Sequence, residues 1–180
     1  RYSIPIILDP VMVSSSGHRL LSAEAQEVLK ERLLPMAQLV TPNIPEMEAL
    51  SDMPLLTISD KYNAAKHLLS LGVQSVLLKG GHEEREVKVD ILYQKSPQGI
   101  VTCSFSSDTL NTRNIHGTGC TLSSAIAAYM ARGLDLKDAV SSAKIYITEA
   151  IKAGADISVG KGYGPVNHLF NPLKMLVNEE

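Results

Sequence analysis

Three short, almost unbroken apolar runs, separated by segments with helical spacing, constrain this chain more than any other feature. They are Ile4 to Leu8, Ala37 to Val40 and Ser75 to Leu78, and each gives way to a polar or glycine-containing turn. Strands read this way when helices cover both faces of their sheet. Helical patterns fill the gaps: Ser22 to Leu33, a short Ile44 to Leu50, and Ser59 to Leu71, where Ala64, Ala65, Leu68, Leu69 and Leu71 share one face. Ser22 and Ser59 suit N-caps, and Gly72 suits the end of its helix. The alternation predicts an α/β domain with a mostly parallel central sheet and right-handed crossovers.

Beyond Gly81 the pattern changes. Val87 to Tyr93 and Ile100 to Phe105, split by Ser96-Pro97-Gln98-Gly99, predict a β-hairpin. A polar stretch from Ser106 to Asn114 leads to an Ala/Ser-rich helix from Thr118 to Arg132, stopped by Gly133. A further helix is expected from about Asp135 to Lys152, with Leu136, Ala139, Val140, Ala143, Ile147 and Ile151 on one face. The glycine-rich tail from Gly160 to His168 suits no regular structure. The 180 residues fit one compact domain at about 150 residues per domain. Because the chain opens on Arg1 and enters a strand-like run almost at once, the expectation is a single domain over 1–180, truncated at its N-terminus.

Charge removes several classes of function. With 17 Lys+Arg against 19 Asp+Glu and a net charge of -2, the chain has no global attraction for nucleic acid or anionic lipid. Any phosphate it binds is held locally. Two cysteines, Cys103 and Cys120, are too few for a disulfide framework and fit a reducing cytosol. No apolar run reaches the eighteen or so residues that span a bilayer, so a soluble cytoplasmic protein is expected.

The unusual residues gather just beyond the carboxyl ends of the expected strands, the edge at which open α/β sheets bind ligands. Asp9-Pro10-Val11-Met12 follows the first strand, Thr41-Pro42-Asn43-Ile44-Pro45-Glu46 the second and Lys79-Gly80-Gly81 the third. The strongest local signal is His116-Gly117-Thr118-Gly119-Cys120 before a small-residue helix. Glycines let backbone approach a ligand, and a helix start offers unpaired N–H groups at its positive end. That combination suits a transferring phosphoryl group. The same field is expected to lower the pKa of Cys120 and make it a base or nucleophile. A plainer reading is a glycine-rich turn with a helical cysteine.

Asp9, Asn43 and Glu46 offer oxygen donors, and a Mg²⁺ ion that keeps its waters needs only one or two of them. Read locally, Asp9 is a turn residue, while Asn43 and Glu46 are a cap and a first-turn acid. Lys79 could hold a phosphate as a point charge, or be a solvated strand-end lysine. There is no G-x-x-x-x-G-K-[ST] pattern, so a kinase here is not of the P-loop kind. His18, His67 and His82 lack metal-ligand spacing, Cys103 suits packing, and Lys144 suits a snorkelling surface position.

Asp9-Pro10-Val11-Met12, Thr41-Pro42-Asn43-x-x-Glu46, Lys79-Gly80-Gly81-His82, His116-Gly117-Thr118-Gly119-Cys120-Thr121 and Gly162-x-Gly164-Pro165-Val166-Asn167-His168 occur in this order. Together they resemble the hydroxymethylpyrimidine and phosphomethylpyrimidine kinases of thiamine biosynthesis, within the ribokinase-like superfamily. The resemblance implies a three-layer α/β/α sandwich and an ATP- and Mg²⁺-dependent kinase. Its acceptors would be 4-amino-5-hydroxymethyl-2-methylpyrimidine and that compound's monophosphate. It further implies an anion hole at Gly117, Thr118, Gly119 and Cys120, with Cys120 as the catalytic base in contact with substrate. Asn43, Glu46, Thr118, Lys79 and Lys144 would serve the nucleotide, Asp9 and Glu46 the metal, and Val11 the pyrimidine. A homodimer is usual for similar kinases. The family's N-terminal region, with its first strands and substrate pocket, has no counterpart in the sequence.

Three other readings compete. Vitamin B6 kinases share the nucleotide half and, in some cases, the Gly-Thr-Gly-Cys motif. A non-catalytic nucleotide-binding module would tolerate truncation, although Cys120, Lys79 and Glu46 together argue against a degenerate site. A thiol redox sensor at Cys120 lacks a resolving cysteine nearby in sequence.

Overall fold

The computed structural model describes residues 4–12, 20–81 and 87–172. His18 and His82 lie outside them. Five strands form one sheet in the order β1 (Ile7–Leu8), β2 (Leu39–Val40), β3 (Ser75–Leu78), β4 (Val87–Ser96), β5 (Gly99–Asp108). The α-helices among the described residues are α1 (Ala23–Val28), α2 (Ile44–Ser51), α3 (Ile58–Ser70), α4 (Thr118–Ala131) and α5 (Leu136–Gly154).

The sheet is mixed rather than mostly parallel. β1 pairs with β2 and β2 with β3 in parallel, but β3 to β4 and β4 to β5 are antiparallel. The stretch between Leu78 and Val87 is too short to carry a crossover helix, so β4 must turn back along β3. The hairpin is longer than expected and reaches Asp108. The first strand is shorter: Ile7 and Leu8 pair with β2, and just before them the Ile6 carbonyl accepts from Gln38 N at 2.9 Å and from Leu39 N at 3.3 Å.

Caps set the helix starts. Ser22 accepts from Ala25 N, as its position suggested. For α3 the cap is Thr57 rather than Ser59: Thr57 Oγ1 accepts from Asp60 N, and the Asp60 carboxylate accepts from Thr57 N, a reciprocal box that Ser59 has no acid to complete. Asp135 accepts from Asp138 N at the start of α5. After Val28, α1 continues as a π-helical turn over Leu29–Leu33 and a 3₁₀ turn that takes in Pro35.

Successive strand residues face opposite sides of a sheet, and here they feed two different cores. Val40, Val76, Leu78 and Tyr93 pack with Met47, Leu50, Ala64 and Leu68 under α2 and α3. Leu39, Leu77 and Leu92 pack with Leu122, Ile126, Ala139, Val140 and Ala143 under α4 and α5. Helices therefore cover both faces of the sheet, and β2 and β3 are buried throughout. Their ends open together on one edge. Among the described residues, no helix is long and apolar enough to cross a membrane.

Candidate functional site

Three strand ends converge where their side chains were expected. Asp9, just past β1, accepts from Thr41 Oγ1 at 3.0 Å and from Lys79 Nζ at 3.1 Å, both through Oδ1. Thr41 lies one residue beyond β2 and Lys79 one beyond β3, with Lys79 bridged in parallel to Asn43. The other Asp9 oxygen, Oδ2, is buried and, among the described residues, has no hydrogen-bond partner.

Asn43 and Glu46 form the expected cap, and the same cap places Glu46 beside Lys79. Asn43 Oδ1 accepts from Glu46 N, and Glu46 Oε2 accepts from Asn43 N, each at 2.8 Å. That box turns the Glu46 carboxylate inward, where Oε2 lies 3.8 Å from Lys79 Nζ. Burial pushes the Glu46 carboxyl up, against the pull of the Lys79 charge and of the Asn43 N–H. Glu46 is only 5% exposed.

Above this cluster sits the start of α4. Gly117, at φ 83°, is in the left-handed region that glycine enters without strain, and it turns the chain into the helix. No side chain caps α4, and Thr118 N–H goes to the Ile115 carbonyl at 3.3 Å. The N–H groups of Gly119 and Cys120 are the donors left for a ligand. A Cβ at Gly119 would lie 3.2 Å from Lys79 Nζ and 4.0 Å from Asp9 Oδ2. The glycine thus lets the helix start rest directly over the Asp9–Lys79 pair.

Cys120 departs from expectation. Its thiol is pushed up rather than down, first by burial and then by the neighbouring Asp9 charge, with the Lys79 ammonium pulling the other way. Burial disfavours the thiolate, and the adjacent Asp9 carboxylate adds to that cost. The thiol is the neutral form at pH 7.

Val11 is partly exposed at the mouth of this edge, following a turn in which its N–H bonds the Asp9 carbonyl at 2.9 Å. Lys144 is elsewhere and is not a solvated surface lysine. From α5 its ammonium donates to Asp90 Oδ2 at 2.7 Å and to Ser107 Oγ at 3.1 Å. Asp90 is 4% exposed, and its other oxygen accepts from Gly80 N at 2.8 Å. Lys144 therefore joins the site indirectly, through Asp90 to the residue after Lys79. It also lines an open cleft of about 580 Å³ with Phe105, Ser107, Asp108, Ser141 and Ile145. Asp90 was missed in the sequence, although an acid between Val89 and Ile91 in an apolar strand was a signal. Cys103 packs against the α4 and α5 core, as expected of it.

The donor set suits a hard cation. Asp9 Oδ2 is a buried carboxylate oxygen without a partner beside an anion cradle, and Mg²⁺ is commonly held by one or two carboxylates plus phosphates and waters. Glu46, already engaged by Asn43 N–H, fits an outer position. Among the described residues there is no cluster of three or more acidic, histidine or cysteine ligands, so no all-protein metal cage is built.

Comparison with known proteins places the chain in a family. Residues 1–167 match the phosphomethylpyrimidine kinase family model. The chain is 42% identical over 164 residues to the hydroxymethylpyrimidine/phosphomethylpyrimidine kinase of Salmonella typhimurium, covering 91% of this chain and 60% of that protein. It is 46% identical over 164 residues to a thiamine biosynthesis bifunctional protein of Geobacter sulfurreducens, covering 91% of this chain and 32% of that one. The chain thus spans three fifths or less of the length of these relatives. In three dimensions it resembles an ADP complex of Bacillus subtilis pyridoxal kinase, with TM-score 0.78, 36% identity and coverage of 90% and 59%. It also resembles the phosphomethylpyrimidine kinase of Clostridium difficile, with TM-score 0.68, 41% identity and coverage of 82% and 58%. The chain belongs to the phosphomethylpyrimidine kinase family.

Proposed function

We propose that this chain carries the phosphoryl-transfer site of an ATP-dependent kinase. Its acceptors are the hydroxymethyl group of 4-amino-5-hydroxymethyl-2-methylpyrimidine and the monophosphate of that compound. The observation that carries this reading is the stacking of the uncapped α4 start over the Asp9, Lys79 and Glu46 cluster. Phosphoryl transfer asks mostly for positioning and charge stabilisation, which this arrangement offers. Relatives of known name and a neighbour bound to ADP support the nucleotide.

In this reading the Gly119 and Cys120 N–H groups and the Lys79 ammonium receive phosphate oxygens. Asp9 would hold Mg²⁺ with Glu46 behind it, and the ion would supply charge neutralisation between phosphates. Cys120 takes the acceptor's proton. Because its thiol is neutral, it can do so only after its own proton has left, and burial together with the Asp9 charge sets that cost. Val11 borders the acceptor. Lys144, fixed by Asp90, lines the open cleft, which in this reading takes the rest of the nucleotide.

The test is mass-spectrometric product detection with this chain, MgATP and three acceptors in parallel: the pyrimidine, its monophosphate and pyridoxal. Product from both pyrimidines is expected, and Cys120→Ala should cut turnover by roughly 10² to 10⁴ fold with nucleotide binding kept. A second reading, vitamin B6 kinase, is favoured by the fold shared with pyridoxal kinases, including one from Staphylococcus aureus at TM-score 0.80 and 33% identity. Product from pyridoxal alone would select it. No product with MgATP still bound would leave a nucleotide-binding module and overturn the catalytic reading.

A further inference from the structure

The segment that follows α5 has no part in the reading above, yet it is held from several sides. His116 N–H donates to the Gly164 carbonyl at 3.0 Å, and Asn167 N–H to the Ala150 carbonyl at 3.0 Å. Val166 is buried in the α4 and α5 core. Tyr146 on α5 donates its hydroxyl to the His168 carbonyl at 3.0 Å. These contacts set the backbone, and they deliver the His168 ring to the first turn of α4, where Nε2 lies 3.0 Å from Thr121 Oγ1.

The direction of that hydrogen bond follows from its neighbours. The Gly117 carbonyl can only accept, and it receives both Thr121 N–H at 2.9 Å and Thr121 Oγ1–H at 2.7 Å. The threonine hydroxyl has one hydrogen, so with that hydrogen on Gly117 the imidazole must donate from Nε2. The result is a relay from ring to hydroxyl to carbonyl, each bond polarising the next. It ends on Gly117, the residue whose left-handed turn aims the Gly119 and Cys120 N–H groups.

We propose that His168 is a positioning residue of the anion cradle: through Thr121 it fixes the Gly117 carbonyl and hence the direction of the donors that meet phosphate. This rests on reading the cradle as a phosphate site. The ring is exposed, and an exposed hydrogen bond contributes little to stability. A purely structural role would therefore leave ligand discrimination untouched, whereas a positioning role shows as a selective loss for ligands whose phosphate reaches the cradle.

The test pairs calorimetric titration of metal-free ADP and AMP with amide NMR of the whole chain, for the unaltered protein, His168→Ala, His168→Gln and Thr121→Val. His168→Ala is expected to weaken ADP by about fivefold to tenfold, to leave AMP within about twofold, and to speed exchange of the Thr121 amide. His168→Gln, which keeps a side-chain N–H donor, should restore ADP binding. Thr121→Val should reproduce the loss, and combining it with His168→Ala should add nothing further. Unchanged ADP affinity in His168→Ala, equal weakening of ADP and AMP, or failure of glutamine to restore binding would each overturn the proposal. If ADP shifts none of the amides from 118 to 121 in the unaltered chain, the phosphate reading fails. The brace is then decided by exchange at Thr121, and an unchanged rate in His168→Ala overturns it.

Discussion

At the scale of single residues, the chemistry of the site depends on two opposite charges seen by one thiol. Asp9 raises the Cys120 thiol and Lys79 lowers it, with burial adding to the Asp9 side. Removing either charge should move the thiol in opposite directions. Asp9→Asn leaves Lys79 unopposed, so the pH midpoint for alkylation of Cys120 by iodoacetamide should fall. Lys79→Met should raise it. Peptide-resolved mass spectrometry separates Cys120 from Cys103, and chelator in the buffer keeps added cations out of the comparison. A midpoint that ignores Asp9 would remove the carboxylate from its place as the thiol's charge partner. The sequence shows the residues of this contest but not its outcome. A helix-start cysteine alone predicts a lowered pKa, whereas the fold buries the thiol and sets beside it a carboxylate 111 positions away in the chain (Cys120 less Asp9), and both push it up.

At the scale of elements, the short helix α2 shows how a local cap becomes part of a site. The Asn43–Glu46 box supplies two hydrogen bonds at the start of an eight-residue helix, and it also aims Glu46 at Lys79. Asn43→Ala should cost about 1 kcal/mol in stability by urea denaturation, as loss of a side-chain cap usually does. Asn43→Ser, which keeps an acceptor, should recover most of it. A cost near zero in the alanine variant would mean that solvent replaces the cap. Elements of this kind were mostly legible because their signals are local: Asn43 and Ser22 cap the helices they precede, although at α3 the cap falls to Thr57 instead of Ser59. What was not legible depends on partners distant in sequence. Ile4 to Ile6 have strand composition, yet the paired strand starts at Ile7, and the reversal of β4 follows from a connection length rather than from any residue in it. Asp90 and His168 stayed unassigned for the same reason, since Lys144 and Thr121 lie 54 and 47 positions from them.

At the scale of the whole molecule, the site is only as rigid as the sheet edge from which Asp9, Asn43 and Lys79 project. That sheet has no core of its own. Leu39 and Val40 are adjacent in β2, as are Val76 and Leu77 in β3, yet each pair divides between the two helical layers. Neither layer can lose its packing without exposing one face of the strands that the other layer needs. The two cores should therefore melt as one cooperative unit. Leu68→Ala on α3 and Ile126→Ala on α4 both empty fully buried positions, and each should cost about 2 to 5 kcal/mol. The sharper expectation concerns the form of the transition rather than its midpoint. In either variant, amide exchange of Tyr93 from the α2 and α3 side and of Ile147 from the α4 and α5 side should report the same urea midpoint. If Leu68→Ala lowers the first and leaves the second in place, the layers unfold separately. The strand ends would then be held by the α4 and α5 layer alone, and damage to the α3 face would spare the cradle instead of abolishing it.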